Sequence, residues 1–268
     1  MGTDAVFAGS IPAFYDRYLG PMNCVPYAAD LAVRIGALAP ARVLEVAAGT
    51  GIVTRAMAQT LPAGAEIIAT DLNQPMLDFA AMQPGVERVV WRQADALQLP
   101  FDDGLFDVVV CQFGVMFFPD RIAGYREARR VLRPGGRYLF NVWDRIEENE
   151  FSAVVQTAVA ALFPHDPPGF LARTPFGCHD VATIREELRR GGFERIEVST
   201  VALRSRAPSA REPAVGMCEG TPLRSEIEAR DATRLAEATD AATAALAARF
   251  GPGPIEGKIQ AHIVTAAV

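Results

Sequence analysis

Five short apolar runs, separated by segments of helical periodicity, constrain the fold of this chain more than any other feature. The runs are residues 42–47, 65–70, 87–93, 105–113 and 136–143. Near-continuous apolar runs of this length are typical of strands that are buried on both faces of a parallel sheet. Because strand and helix patterns alternate, the sequence predicts a doubly wound α/β fold.

Helix signals fill the intervals between these runs. Apolar residues recur at helical spacing over 52–61, and the segment 73–82 begins with an asparagine cap and a proline in the first turn. A third helix pattern ends at Leu132, just before a Pro-Gly-Gly sequence.

The rest of the chain extends the same predicted sheet. A helix over 150–163, a helix capped by Asp180 and a strand over 193–205 follow the apolar runs. We expect one domain over residues 1–268, since this length can bury the core of a large α/β domain. Its predicted segments are a helical N-terminal cap (1–40), a core (41–143), helices and a sixth strand (144–205), a helical insertion (206–250, with one long helix over 223–250) and a last strand (257–267).

Charge and cysteine usage exclude several classes of function. The formal net charge of −6 argues against nucleic acid as a partner. The four cysteines have no zinc or disulfide spacing, so we expect buried thiols in a reducing compartment and no metal site. No apolar run is long enough for a membrane span, and the first 20 residues resemble no signal peptide, so we expect a cytoplasmic protein.

The first apolar run leads into a glycine loop, "VLEVAAGTG" at 43–51. A phosphate-binding P-loop would need a lysine after Gly51, where Ile52 stands. The dinucleotide pattern G-x-G-x-x-G also fits poorly, because its third glycine would fall on Thr54 or Ile52. The remaining candidate is an adenosine that carries an amino-acid tail, as in S-adenosylmethionine. Small loop residues allow close approach of such a ligand, and Glu45 can hold its amino group.

Two carboxylates further along the chain point to the same kind of ligand. Asp71 follows Gly51 by 20 positions and ends the second predicted strand. An acid there can bind both ribose hydroxyls, in NAD and in S-adenosylmethionine alike, although a helix N-cap aspartate is the alternative. Asp95 ends the third strand, where its carboxylate can accept from the adenine amino group while the Ala96 N–H meets a ring nitrogen.

Taken together, the motifs resemble class I S-adenosylmethionine-dependent methyltransferases, in the type 11, ubiquinone/menaquinone-biosynthesis-like branch. The matching stretches are "VLEVAAGTG", "ATDLNQPML", "QADALQLPFDDGLFDVVVCQFGVMFFPD" and "REARRVLRPGGRYLFNVW", which cover about residues 41–143. The resemblance implies a Rossmann-like, seven-stranded, mostly parallel sheet with a reversed last strand. It also implies S-adenosylmethionine as the cofactor and S-adenosylhomocysteine as the product.

The resemblance further implies a set of cofactor contacts. Glu45 and the small loop residues would line the methionine part, Leu72 and Met76 would cover the adenine, and Gln112 with Phe113 would face the methionine amino group and the methyl. N-terminal tyrosines would close the site. The full set is Tyr18, Glu45, Ala47, Gly49, Thr50, Gly51, Asp71, Leu72, Met76, Asp95, Ala96, Gln112 and Phe113.

One position departs from the family pattern. Ala47 stands where the family mostly has glycine. Its methyl group is compatible with the loop if the backbone φ angle there is negative.

The predicted chemistry is direct displacement of the methyl group toward a small, apolar or aromatic acceptor. Because alignment of acceptor, methyl and sulfur is the main requirement, no catalytic triad is expected, and the catalytic residues are unknown. His179 is a candidate base, with His165 as a second loop histidine and His262 as a structural one. The sequence Gln112-Phe113-Gly114-Val115 differs from the Asn/Asp-Pro-Pro-aromatic motif of DNA and amide methylation.

Several alternatives stay open at this point. The aromatic stretch 113–120, with Trp143, Phe151 and Phe163, can line an acceptor pocket or simply pack the sheet. The insertion 206–250 can be a lid, a structural cap or a homodimer surface. The rival functions are an NAD(P)-dependent oxidoreductase on a similar fold and a non-catalytic cofactor-binding protein.

Overall fold

The computed structural model of this chain describes residues 11–268. The first ten residues of the predicted N-terminal cap, Phe7 among them, lie outside the described residues.

A seven-stranded sheet with the order β3-β2-β1-β4-β5-β7-β6 forms the centre of the fold. Its first five strands pair in parallel, so that Glu45 lies opposite Ala69 on one side and Val110 on the other. The last strand is antiparallel to β5, because Gly136 bonds to Val268 while Asp144 bonds to Gln260. The predicted Rossmann-like sheet with a reversed last strand is therefore confirmed. The strands are β1 (Arg42–Glu45), β2 (Glu66–Asp71), β3 (Val89–Gln93), β4 (Phe106–Gln112), β5 (Leu132–Trp143), β6 (Arg195–Ala207) and β7 (Ile255–Ala267).

Helices occur in each interval where the sequence predicts them. An N-terminal α-helical turn and a π-helix (Tyr15–Cys24) precede α2, and short 3-10 turns lie at Val115–Phe117 and Ile146–Glu148. The α-helices are α1 (Ile11–Phe14), α2 (Val25–Gly36), α3 (Ile52–Thr60), α4 (Gln74–Ala81), α5 (Arg121–Val131), α6 (Glu150–Leu162), α7 (Phe170–Arg173), α8 (Val181–Arg190), α9 (Arg211–Glu219), α10 (Leu223–Asp231) and α11 (Leu235–Phe250).

The chain divides into two compact units. The sheet unit comprises residues 27–142, 179–201 and 261–268, and the helical unit comprises 11–26, 143–178 and 202–260 among the described residues. The sheet unit has a core of β-branched strand residues and a cluster of three packed rings, of which Tyr125 and Phe140 are stacked and Tyr138 is tilted against Phe140. The predicted single domain, with its five segments, stays a prediction.

Two glycines, one in α9 and one directly after it, shape the core of the helical unit. A Cβ atom at Gly216 would lie 3.0 Å from atoms of Tyr18 and Leu19, and one at Gly220 would lie 3.3 Å from the Cβ of Phe14. Because side chains are missing at these positions, the segment 11–24 packs closely against α9. The insertion and the N-terminal segment therefore share one core.

The predicted single helix over 223–250 is wrong. The backbone of Asp231 is extended (φ −160°), and its carboxylate accepts a hydrogen bond from the Thr233 N–H. This capping ends α10, and a 3-10 turn (Ala232–Arg234) separates it from α11. The Pro- and Gly-rich segment before it also contains a helix, α9, whose residues 213–218 are all buried.

Among residues 11–268, no helix is both long and apolar enough to cross a membrane.

Candidate functional site

The loop between β1 and α3 has an unusual backbone. Ala47, Gly49 and Gly51 all have positive φ angles, of 53°, 56° and 77° respectively. The predicted condition for a methyl group at Ala47, a negative φ, is therefore not met. Because the left-handed region costs a residue with a Cβ about 1 kcal/mol relative to glycine, Ala47 holds a strained conformation. Strain of this kind is concentrated at binding sites, where the surrounding contacts fix it.

The two glycines of the loop serve different purposes. A Cβ at Gly51 would lie 2.9 Å from the Trp91 ring and 3.1 Å from the Ala80 Cβ, so this position packs the start of α3 against β3 and α4. A Cβ at Gly49 would meet nothing within 4 Å. The backbone at Gly49 is thus open to close approach by a ligand.

Asp71 ties the end of β2 to this loop. Its Oδ2 accepts a hydrogen bond from the Gly49 N–H at 2.9 Å, and its Oδ1 accepts one from the Asn73 N–H at 2.8 Å. Burial raises the pKa of Asp71, and these hydrogen bonds oppose the rise. Oδ1 also accepts a hydrogen bond from Asn73 Nδ2 at 3.3 Å, whereas only one of the described hydrogen bonds goes to Oδ2. Oδ2 therefore has a lone pair left for a ribose hydroxyl. The N-cap position of α4 is Asn73 and not Asp71, although the Asn73 side chain makes no capping bond.

Glu45 lies under the loop and is almost completely buried (1% exposed). The Thr54 hydroxyl donates to its Oε2 at 2.5 Å. Burial raises the pKa of Glu45 to about 8; the Thr54 bond lowers it, and the charge of Asp71 adds to the rise. A buried carboxyl group with so high a pKa favours a cationic partner, because a positive charge would lower the pKa again.

Thr50 carries the most unusual polar atom of the loop. The residue is 1% exposed, and its Oγ1 is buried with no hydrogen-bond partner among the described residues. A buried hydroxyl without a partner is rare in folded proteins and needs an explanation, such as a bound water or ligand.

We expect Thr50→Val to raise the free energy of unfolding of the ligand-free chain by about 1 kcal/mol, because the change removes an unsatisfied hydroxyl and keeps the shape. Urea denaturation measures this change. Thr54→Val is the matched control; its hydroxyl has a partner in Glu45, so this variant should lose stability. Destabilisation by Thr50→Val would mean that the hydroxyl is already satisfied in the folded chain.

The residues predicted to bind adenine lie next to Asp71 in the sheet unit. Leu72 is half-buried and Met76 is buried on α4, whereas Asp95 is exposed. The Ala94 N–H donates to the Asp71 carbonyl oxygen at 3.0 Å, which holds the loop after β3 beside β2. Asp95 Oδ1 accepts from the Leu97 N–H, and Ala96 lies between these two residues.

The end of β4 meets the glycine loop directly. A Cβ at Gly114 would lie only 2.6 Å from the Cβ of Ala47 and 2.7 Å from the Cys111 Sγ. The methyl group of Ala47 therefore occupies the space that a side chain at position 114 would need. Phe113, just before it, is also left-handed, with φ 51°, and its ring packs edge-on against the Tyr27 ring at 5.5 Å.

The sequence pattern did not reveal the residues that support these groups. Thr54 holds Glu45, and the fully buried Asn141 of β5 bonds to Gln112 and Phe113. A polar residue inside the apolar run "LFNVW" is the signal that could have identified Asn141.

The N-terminal tyrosines fall into different units. Tyr27, in the sheet unit, is completely buried and donates its hydroxyl to the Val201 carbonyl oxygen at 2.9 Å. Tyr18 belongs to the helical unit, where its ring lies 5.6 Å from that of Phe14. The contact of Tyr18 with the cofactor stays a prediction.

The three histidines differ in exposure, and the other aromatic residues named above are packed against a neighbour or buried. His165 and His179 are exposed, and the Nδ1 of buried His262 lies 2.9 Å from the Thr200 hydroxyl. Phe118 packs against Gly124 of α5. Trp143, Phe151 and Phe163 are buried in the helical unit.

All four cysteines are buried free thiols, as predicted. Within the described part of the chain, no three His, Cys, Asp or Glu side chains are grouped so that they could hold a metal ion.

Comparison with known sequences identifies relatives of the sheet region. Residues 44–140 match the protein family described as "Methyltransferase domain". The demethylmenaquinone methyltransferase of Deinococcus radiodurans is 36% identical over 127 residues, which are 47% of this chain and 52% of that protein. The enzyme of that name from Thermus thermophilus is 43% identical over 113 residues, 41% of this chain and 49% of that protein. This chain thus spans about half the length of these relatives.

Solved structures share the fold over most of the chain. The YcgJ protein of Bacillus subtilis has a TM-score of 0.56 at 20% identity, with 90% of this chain and 98% of that chain covered. The [4+2]-cyclase SpnF has a TM-score of 0.55 at 21% identity, with 90% and 79% covered. At these identities the likeness concerns the fold alone.

Proposed function

We propose, from the premise that this chain belongs to the class I, type 11 methyltransferases, that it transfers a methyl group from S-adenosylmethionine to a small aromatic or apolar acceptor. The observation that carries the proposal is the bond from the Gly49 N–H to Asp71 Oδ2. It joins the open glycine loop and the ribose-binding acid into one site, at the carboxyl ends of β1 and β2. Ligands of open α/β sheets bind at this edge.

The residues present fit this cofactor. Asp71 has a lone pair left on Oδ2 for a ribose hydroxyl, Glu45 offers a buried acid to the ammonium group, and Thr50 has an unsatisfied hydroxyl. Leu72 and Met76 provide the apolar cover. When bound, S-adenosylmethionine supplies a methyl group that is already activated by its sulfonium, and displacement leaves S-adenosylhomocysteine.

The contribution of the protein in this mechanism is to hold the methyl donor and the acceptor in fixed positions. The bonds of Asp71 hold the glycine loop, and the contacts around Ala47 and Phe113 maintain their left-handed backbones. Fixed geometry for donor and acceptor can lower a barrier by ~7–11 kcal/mol, so the mechanism needs no nucleophile from the protein. A base is required only if the acceptor must lose a proton early in the reaction.

The acceptor we propose is an aromatic ring of the quinone-precursor class, methylated at carbon. The relatives of this chain named demethylmenaquinone methyltransferases support this class. The chain acts in the cytoplasm in this proposal, with no nucleic acid partner; a homodimer stays a prediction. A cofactor-binding protein without methyl transfer is the second candidate, because a fold that is shared with a cyclase does not by itself determine the reaction. Formation of S-adenosylhomocysteine with a panel of hydroquinones and naphthols decides between the two.

Asp71→Ala should weaken binding of S-adenosylhomocysteine by about 2 kcal/mol, because charged hydrogen bonds to the ligand and the support of Gly49 are both lost. Titration calorimetry with S-adenosylhomocysteine and, separately, with NADH measures the affinity. Asp78→Ala is the control, since this exposed acid of α4 bonds only to Gln74 in the described contacts. Unchanged affinity in Asp71→Ala would remove the ribose assignment. If the unsubstituted chain bound NADH alone, the oxidoreductase would be the correct function.

A further inference from the structure

Asn141 is a polar residue in the middle of a buried strand. It is fully buried on β5 and lies opposite Gln112 of β4 in the parallel register. Its Oδ1 accepts a hydrogen bond from the Phe113 N–H at 3.0 Å, and its Nδ2 donates to Gln112 Oε1 at 3.3 Å. The described hydrogen bonds of this side chain thus go to the two residues that end β4 at the site.

Burying an amide side chain is unfavourable unless its hydrogen bonds are made. An apolar residue would suit this strand better, since the neighbours Phe140 and Val142 are both fully buried. The hydrogen bonds that Asn141 makes to Gln112 and Phe113 therefore have to explain why an asparagine stands here. Its backbone carbonyl also accepts from the Phe113 N–H, at 3.1 Å, so that one N–H is shared between two oxygens of Asn141.

Both groups that Asn141 holds need support. Phe113 is in the left-handed region, where a residue with a side chain is strained. The amide of Gln112 could adopt either of two orientations that differ by a flip, and a donor at Oε1 selects one of them. The hydrogen bonds of Asn141 stabilise the Phe113 backbone and select one orientation of the Gln112 amide.

We infer that Asn141 is a positioning residue, which sets the Gln112 amide and the Phe113 backbone in the orientation that receives the methionine end of the cofactor. The inference rests on the proposed function for the identity of that ligand. Asn141 need not touch the ligand, because its effect passes through Gln112 and Phe113.

A double-mutant cycle in binding affinity tests this role. Asn141→Leu should weaken binding of S-adenosylhomocysteine about tenfold. In a Gln112→Leu background the same change should cost only about twofold, because one of the two residues it acts through is gone and only its bond to Phe113 remains to be lost. Titration calorimetry on the four proteins gives the cycle. An equal loss in both backgrounds, or no loss in either, overturns the inference. If Asn141→Leu does not fold, Asn141→Ser, which cannot reach both partners, takes its place in the cycle.

Asn149→Leu is the matched control. Asn149 is 1% exposed and bonds to Asp144, Arg145 and Gln260, which lie outside the proposed site. Its loss should lower the unfolding temperature without changing the affinity for S-adenosylhomocysteine. An affinity loss as large as that of Asn141→Leu would mean that general destabilisation explains both, and the positioning role would be rejected.

Hydrogen exchange measured without ligand tests the role of Asn141 independently of the proposed function. The Phe113 amide should exchange its hydrogen slowly in the unsubstituted chain and in Asn149→Leu, but at least about tenfold faster in Asn141→Leu. If the unsubstituted chain fails to bind S-adenosylhomocysteine, the proposed function is wrong, and the exchange result alone decides whether Asn141 holds Phe113. Fast exchange in every variant would overturn the positioning role.

Discussion

Glu45→Gln is expected to be more stable than the unsubstituted chain by about 3 kcal/mol at pH 9 and nearly equal to it at pH 5. Burial raises the pKa of Glu45 from 4.5 to about 8 in the folded chain. A group whose pKa is higher in the folded state stabilises the fold at low pH, and this contribution disappears as the pH rises through 8. Glutamine cannot ionise and can still accept the Thr54 bond, so it avoids that loss.

Urea denaturation of both proteins between pH 5 and pH 9 gives the difference directly, because all other titrating groups are common to the pair. A constant difference across this range would mean that Glu45 is ionised in the folded chain throughout. The same variant should bind S-adenosylhomocysteine more weakly, since the ammonium group would face a neutral amide. Stability gained together with affinity lost is typical of a residue that is retained for function.

Gly114→Ala is expected to destabilise the chain by about 3 kcal/mol. Its Cβ would lie 2.6 Å from the Ala47 Cβ and 2.7 Å from the Cys111 Sγ. Neither atom can move far unless the backbone shifts, because one is a Cβ and the other is bonded to a Cβ. Overpacking of such a site forces backbone shifts, which commonly cost 1–3 kcal/mol or more. The φ angle of Gly114 is −105°, so the effect comes from crowding and not from backbone conformation.

Ala47→Gly should restore part of this stability, because it removes the closest of the two clashing atoms. On its own it should be nearly neutral, since the lost methyl contacts and the relieved left-handed strain have opposite signs. Thermal unfolding of the two single variants and the double variant measures a coupling of at least about 1 kcal/mol. Strict additivity would show that the two loops do not contact each other through this pair.

The sheet and the edge at which we propose that the cofactor binds were predictable, because their signals are local. The central strands β1, β4 and β5 contain near-continuous apolar runs, and Gly51 is required by the turn into α3 itself. The acids at the ends of β1 and β2 could be located from the strand boundaries alone.

What the sequence did not reveal depends on contacts between distant residues. The sequence does not show that Ala47 packs against Gly114. It also does not show that Asn141 lies opposite Gln112 in the register of β4 and β5. The break after α10 is an exception, because it depends on a local bond from the Thr233 N–H to Asp231, which an alanine-rich periodic pattern conceals.

The way the helical unit is assembled has a consequence for synthesis on the ribosome. Strands β1 to β5 follow one another along the chain and can begin to pair as they emerge. The segment 11–24 must instead wait for α9, which is made about two hundred residues later, before its apolar side chains are covered. We expect this first segment to be the part of the nascent chain that depends most on chaperones.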